Sequence, residues 1–294
     1  MEYNGQTLDL QIGSVCCSLR CKDQDVYGRL KQLYRNFFSE LPADITVEIE
    51  GRSQANPAEI DAALADTRYI HRDNCFRTTS NLIDGQYDLT QHSIRISGEK
   101  SLVDPDLEIN HLNRLLALAY YSACKVKYNG NPPSMLVHAC AVVRRGRALL
   151  FAGPSEAGKT TIARLCGERD GEVLNDEMLL VSRPSPDGAV SVQGAPMVSR
   201  LSPRSNKSAP LRCILMLKQS SETSIRPVDK VEAYLRFLRQ IIVPAYIGQK
   251  DRRAVYSLMA DFSSEITRSI PFYELAFSLD ADRLWKVIGD LEEQ

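Results

Sequence analysis

No two of the chain's eight cysteines stand in C-x-x-C spacing. Cys17 and Cys21 come nearest to a ligand pair, but no second pair matches them, so a zinc site is not expected. The others, Cys16, Cys75, Cys124, Cys140, Cys166 and Cys213, fit reduced and mostly buried thiols in a cytoplasmic protein. An excess of either charge is also missing: 36 basic and 37 acidic residues leave a net charge of -1. That balance excludes a general nucleic-acid or membrane-surface binder. No apolar run reaches the roughly 18 residues that a transmembrane helix needs. The opening MEYNGQTLDLQIG has neither a basic n-region nor an apolar h-region, so no secretory signal is expected. What remains is ordinary: 44% hydrophobic and 25% charged residues in a chain of 294, room for one large or two moderate domains.

Residues 7–20 alternate loosely and predict one or two strands. Val26, Leu30, Leu33, Tyr34, Phe37 and Phe38 recur at helical spacing over 23–40, and ITVEI (45–49) alternates as a strand. The polar stretch 51–66 reads as a loop with at most one helical turn. Short strands follow over 67–97, with Asp84-Gly85 as a turn signal between them and SIRIS (93–97) as the clearest strand. A long helix is predicted from Asp104-Pro105 to about Lys127. YNGNPP (128–133) breaks it and marks a boundary between a small α+β domain, residues 1–130, and a larger domain, residues 131–294.

The second part reads as a mixed α/β domain. MLVHACAVV (135–143) has the length and apolarity of one strand, Arg144-Arg145-Gly146-Arg147 of a tight turn, and ALLFAG (148–153) of a second strand. A helix over 159–168 and strands over 172–176, 178–183, 190–194 and 211–219 follow. Helices are predicted over 231–242 and around 251–261, then a strand over 272–279 and a terminal helix.

Within that domain, FAGPSEAGKTTIARL (151–165) places Gly153, four residues, and then Gly158-Lys159-Thr160. This is the spacing of a phosphate-binding loop, and it has a strand before it and a helix after it, as such a loop requires. Successive backbone N–H groups of Pro154–Ala157 and their neighbours would wrap phosphate oxygens at a helix N-terminus; Pro154 itself lends only its shape, and Ser155, Glu156 and Ala157 lend N–H groups. Gly153 and Gly158 permit the tight path, Lys159 reaches the β- and γ-phosphates, and Thr160, with Thr161 beside it, opens the helix where a Mg²⁺ would sit. Seventeen residues after Lys159, Asp176-Glu177 closes an apolar strand. One carboxylate there can hold the metal or its waters and the other can accept a proton from an attacking hydroxyl; a solvated acidic turn is the plainer reading. His138, in the strand before the loop strand, reads either as a core histidine or as a group near the γ-phosphate.

His138-Ala139-Cys140-Ala141-Val142-Val143, the turn, the loop and VLNDEMLLV together resemble the catalytic domain of HPr kinase/phosphorylase and the wider group of related P-loop kinases. That group shares its nucleotide core with ATP-dependent phosphoenolpyruvate carboxykinase. The likeness extends over residues 131–280 and includes Gly194-Ala195-Pro196 and the basic loop after it. The resemblance implies a P-loop kinase that uses ATP and Mg²⁺, and it admits a homo-oligomer. It further implies that Gly153, Gly158 and Lys159 bind the triphosphate, and that Thr160 and Glu177 support Mg²⁺. Asp176 would be the general base and His138 would lie near the transferred phosphate. Arg200, Arg204 and Lys207 would be candidates for a phosphate or substrate clamp. The expected acceptor is a hydroxyl on a protein, a peptide or a small metabolite. A nucleotide-binding regulatory module and a hydrolytic NTPase are the alternatives.

Overall fold

Gly13 starts the fold with a left-handed φ of 60°. It forms a two-residue turn with Ser14, so that β1 (Gln6–Ile12) folds back antiparallel on β2 (Val15–Cys21), with Ile12 opposite Val15. The computed structural model describes residues 5–52, 69–72, 75–78, 83–88, 93–99, 109–169, 171–197, 204–244 and 252–293. Among these the fold is mixed α/β, with six α-helices and two sheets. The chain divides into two units, one of Met1–Pro132 with Pro196–Val198 and Val243–Arg252, the other of Pro133–Ala195, Ser199–Ile242 and Arg253–Gln294.

In the first unit Asp23 caps α1 (Gln24–Leu33), accepting from the N–H groups of Asp25 and Val26 at 3.0 and 3.2 Å. The chain returns as β3 (Ile45–Arg52), parallel to β2. Strands β4 (Tyr69–Arg72), β5 (Cys75–Thr78), β6 (Ile83–Asp88) and β7 (Ser93–Glu99) complete a seven-stranded sheet in the order β1-β2-β3-β7-β6-β5-β4. Helix α2 (Ile109–Lys127) packs on β2 and β3. The Asp84-Gly85 turn is a misreading: Gly85 lies inside β6, opposite Ile96 on one side and Phe76 on the other. Two ladders hold it there and outweigh the local turn preference of Asp-Gly. Most of the predicted loop over 51–66 and the start of the long helix fall outside the described residues. Among the described residues seven cysteines are free and buried, and burial raises the Cys124 thiol to about 12.

The second unit begins with a departure from the sequence pattern. The apolar run at 135–143 is two strands, β8 (Ser134–Val137) and β9 (Ala139–Arg144), separated at His138. Arg145 and Gly146 then take φ of 51° and 75° and form the expected tight turn into β10 (Arg147–Ala152). There follow α3 (Lys159–Gly167), β11 (Glu172–Asn175), β12 (Leu179–Ser182), β13 (Ser191–Gly194), β14 (Ser208–Gln219), β15 (Ser224–Pro227) and α4 (Lys230–Leu238). Next come β16 (Ile241–Ile242), α5 (Arg252–Ser269), β17 (Phe272–Phe277) and α6 (Ala281–Glu293). The helix predicted over 231–242 therefore stops early: Ile241 and Ile242 pair with Val137 and Leu136 as β16.

One long strand explains the split at His138. The start of β14 pairs with β13, while its later residues pair in parallel with β10 and with β17. The sheet runs β11-β9-β10-β14-β13-β12-β8-β16, with β17 on β14 and β15 on β17. At His138 the chain leaves the β12 side and joins the β10 side. Strands β10, β14 and β17 are parallel and end at Ala152, Gln219 and Phe277. The carboxyl ends of such strands are where open α/β sheets present ligand sites. Phe151, Ile162, Leu165, Leu215, Leu275, Trp285 and Ile288 fill the core beneath.

Candidate functional site

The loop between β10 and α3 is shaped by contacts that leave no room for side chains at its glycines. A Cβ on Gly153 would lie 2.8 Å from the Ala157 Cβ, and one on Gly158 would lie 2.4 Å from the Phe277 Cζ. Gly158 also has φ of 102°, and Glu156 stands at 64°, a left-handed conformation that a glutamate rarely adopts. The Glu156 carbonyl accepts from Gln219 Nε2 at 2.8 Å. Pro154, Ser155 and Glu156 form an exposed crest, Gly153 and Ala157 are buried, and Thr160 and Thr161 open α3 on its accessible side.

Lys159 is buried and folded back on the loop, its Nζ donating to the carbonyls of Gly153 and Pro154, both at 3.0 Å. Burial lowers its pKa, and Glu177, Cys140 and Asp176 oppose that fall. The ammonium therefore lies within reach of both predicted carboxylates.

Asn175 arranges those carboxylates. Its Nδ2 donates to the Ala195 carbonyl at 2.9 Å, while its Oδ1 accepts from the N–H of Glu177 at 2.8 Å and of Met178 at 3.4 Å. This side-chain turn at the end of β11 directs Asp176 and Glu177 to different neighbours. Asp176 is 3% exposed, and its Oδ2 accepts from the Thr160 hydroxyl at 3.0 Å. Its Oδ1 is buried without a hydrogen-bond partner. Glu177 is more open, with Oε1 at 3.8 Å from His138 Nε2. Burial, with repulsion from Lys159, lowers the His138 pKa to about 4. The approach of His138 to Glu177 is thus that of a neutral ring to a carboxylate, not an ion pair.

His138, Lys159, Thr160, Asp176 and Glu177 therefore share one neighbourhood, reached from β8–β9, the loop helix and the end of β11. The pairing differs from the sequence expectation. Asp176, not Glu177, meets the metal candidate Thr160, and Glu177 faces His138. Lys207 is engaged with Glu172 at 2.9 Å on the exposed start of β11. Arg200 lies outside the described residues. Sequence reasoning missed Asn175, Gln219 and Phe277. An Asn before an acidic pair is a weak turn signal; the other two act through strand register, which leaves no local pattern.

No group of three His, Cys, Asp or Glu among the described residues could hold a metal ion alone. A hard divalent cation at Thr160 and Asp176 would need phosphate oxygens and water to complete its shell, as Mg²⁺ does at nucleotide sites. The unpartnered Asp176 Oδ1 fits that role. No helix among the described residues is long and apolar enough to cross a membrane.

A family model described as SynChlorMet cassette protein ScmC matches residues 99–292, and the chain belongs to that family. No curated protein matches the chain. Among solved structures it is similar to the Hpr(Ser) kinase/phosphatase from Coxiella burnetii, at 9% identity and a TM-score of 0.32. That match covers 53% of this chain and 95% of the other. At that score the likeness carries no argument about this chain's activity.

Proposed function

We propose that this member of the ScmC family is an ATP- and Mg²⁺-dependent kinase that transfers the γ-phosphoryl group to a hydroxyl of a protein, peptide or small metabolite. The observation that carries the reading is Asp176. It is a nearly inaccessible carboxylate, tied by one oxygen to the hydroxyl that opens α3 and left unsatisfied at the other. A buried polar atom without a partner costs about 1–3 kcal/mol. A cation or its water, arriving with a nucleotide, would remove that cost.

On this reading the loop N–H groups hold the phosphates. Lys159 exchanges the carbonyls of Gly153 and Pro154 for β- and γ-phosphate oxygens. Thr160 and Asp176 would hold Mg²⁺, which when bound would supply charge stabilisation for the transferred phosphoryl group. Glu177, the more accessible carboxylate, takes the proton of the acceptor hydroxyl. His138, kept neutral beside Glu177, adds no positive charge that would compete for its proton. The expected roles of the two carboxylates are thereby exchanged: Asp176 lacks the access that a base for an incoming acceptor needs. Positioning and charge stabilisation supply most of the rate, as in phosphoryl transfer generally.

Incubation with γ-labelled ATP and candidate acceptors tests this. Label on an acceptor supports the kinase. Release of free phosphate alone identifies a hydrolase, and binding without turnover identifies a regulatory module.

A further inference from the structure

The loop's two left-handed residues are each held by a residue from outside the strand–loop–helix unit. Gln219 Nε2 donates to the carbonyl of Glu156 at 2.8 Å, and the Phe277 ring abuts the α-carbon of Gly158, with Cζ 2.4 Å from where a Cβ would be. These two holders are not independent. Gln219 and Phe277 are register partners, the last pair of the parallel β14–β17 ladder. While β10 ends at Ala152, opposite Met216, β14 runs on through Leu217 and Lys218 to Gln219 alongside the loop. Beyond the pair, the Ser220 N–H donates to the Phe277 carbonyl at 3.0 Å and the Ser278 N–H to Thr223 Oγ1 at 3.1 Å. The turn after β14 is thus pinned to the end of β17, and the two holders are tied together.

We propose that Gln219 and Phe277 form a cross-strand clamp that sets the phosphate loop in its binding shape before any nucleotide arrives. Both are positioning residues: they act through the backbone of Glu156 and Gly158. The inference rests on the nucleotide reading of the loop and adds what shapes it. Glu156 resists its left-handed conformation and Gly158 has no side chain to restrict it. One residue needs a tether and the other a stop, and the clamp supplies one of each. A loop held in advance loses less conformational freedom on binding.

The test compares wild-type protein with Gln219→Met, Phe277→Leu and the double variant, by calorimetric titration of Mg-ATP and by thermal melting. Gln219→Met keeps the length of the side chain and removes the donor. Because Gln219 is exposed while Phe277 is a core residue, this variant carries the test even if Phe277→Leu fails to fold. Mg-ATP affinity is expected to fall roughly tenfold in Gln219→Met, the worth of one hydrogen bond, with an unchanged melting temperature. The double variant is expected to lose less than the product of the single losses, because the two residues act on one loop. Wild-type binding with equal binding by Gln219→Met overturns the clamp and leaves the nucleotide reading intact. A wild-type protein that binds no Mg-ATP overturns both.

Discussion

Two buried carboxylates in the same unit are treated in opposite ways. Glu274, on β17, is 9% exposed and fully engaged: Oε1 accepts from Arg226 at 3.0 Å and Oε2 from Arg236 at 2.8 Å. Burial alone would raise its pKa, but the hydrogen bonds and charges of Arg236 and Arg226 outweigh burial and lower it. Arg236 is itself tied to Glu232 at 2.9 Å. Asp176 is more deeply buried, yet it has one hydroxyl on one oxygen and no partner on the other. The fold therefore can satisfy an interior carboxylate with arginines, and does so at Glu274. On the reading proposed above, the unpartnered oxygen of Asp176 is where a ligand would supply the missing partner, whereas Glu274 is satisfied within the fold.

The largest expected effect is on the open side of the site. Glu177→Gln should lower phosphoryl transfer by roughly 10²–10⁴, the usual worth of a positioned general base, with little change in melting temperature or ATP affinity. Single-turnover transfer at saturating Mg-ATP reads this; an unchanged rate returns the base role to Asp176.

Next is the satisfied carboxylate. Arg236→Ala should cost about 2–3 kcal/mol in urea denaturation, less than the 3–5 of a fully buried broken pair because Arg226 stays on Glu274. A loss below 1 kcal/mol would remove the contrast with Asp176 from the structural side.

His138 gives a pH-dependent effect of intermediate size. Its pKa is about 4 in the fold against 6.5 for the free side chain. A depressed pKa means that stability is fully present above about pH 6.5 and is lost as pH falls towards 4. The full shift corresponds to at most about 3 kcal/mol, and partial exposure of the ring brings the expected loss nearer 1–2. His138→Gln should flatten the stability profile between pH 6.5 and 4.5. Matching profiles for the variant and the wild type would show that His138 titrates normally. The smallest effect is Asp176→Asn on stability without ligand: a change within about 1 kcal/mol, since the amide keeps an acceptor for the Thr160 hydroxyl.

How much of this could be read in advance follows from which interactions are local. The strand, loop and helix around Gly153–Thr160 have signals within a few residues of each other, as does the Arg145-Gly146 turn. The break at His138 has none. MLVHACAVV is apolar apart from His138, and the sharing of β14 between two groups of strands divides it. Strand β15 is short and mostly polar, and its partner β17 follows only after α4, β16 and α5 in sequence. The neighbours of Asp176 and Glu177 depend on the Asn175 side chain reaching Ala195, twenty residues away. Adjacent residues at a strand end can face either way, so spacing brought both carboxylates to the site without deciding which meets Thr160. Gln219 and Phe277 meet only through register.

The kinase reading rests on the proposal that a Mg²⁺ ion or its water, arriving with a nucleotide, would meet the unpartnered Oδ1 of Asp176. This proposal is tested most directly by titrating ATP into wild type and Asp176→Asn, each with and without Mg²⁺, alongside a melting curve. In wild type Mg²⁺ should strengthen ATP binding. In Asp176→Asn that strengthening should shrink roughly tenfold or more, with the melting temperature unchanged or raised. An equal gain from Mg²⁺ in both proteins, or an Asp176→Asn variant that unfolds, would contradict the claim and make Asp176 a structural carboxylate like Glu274.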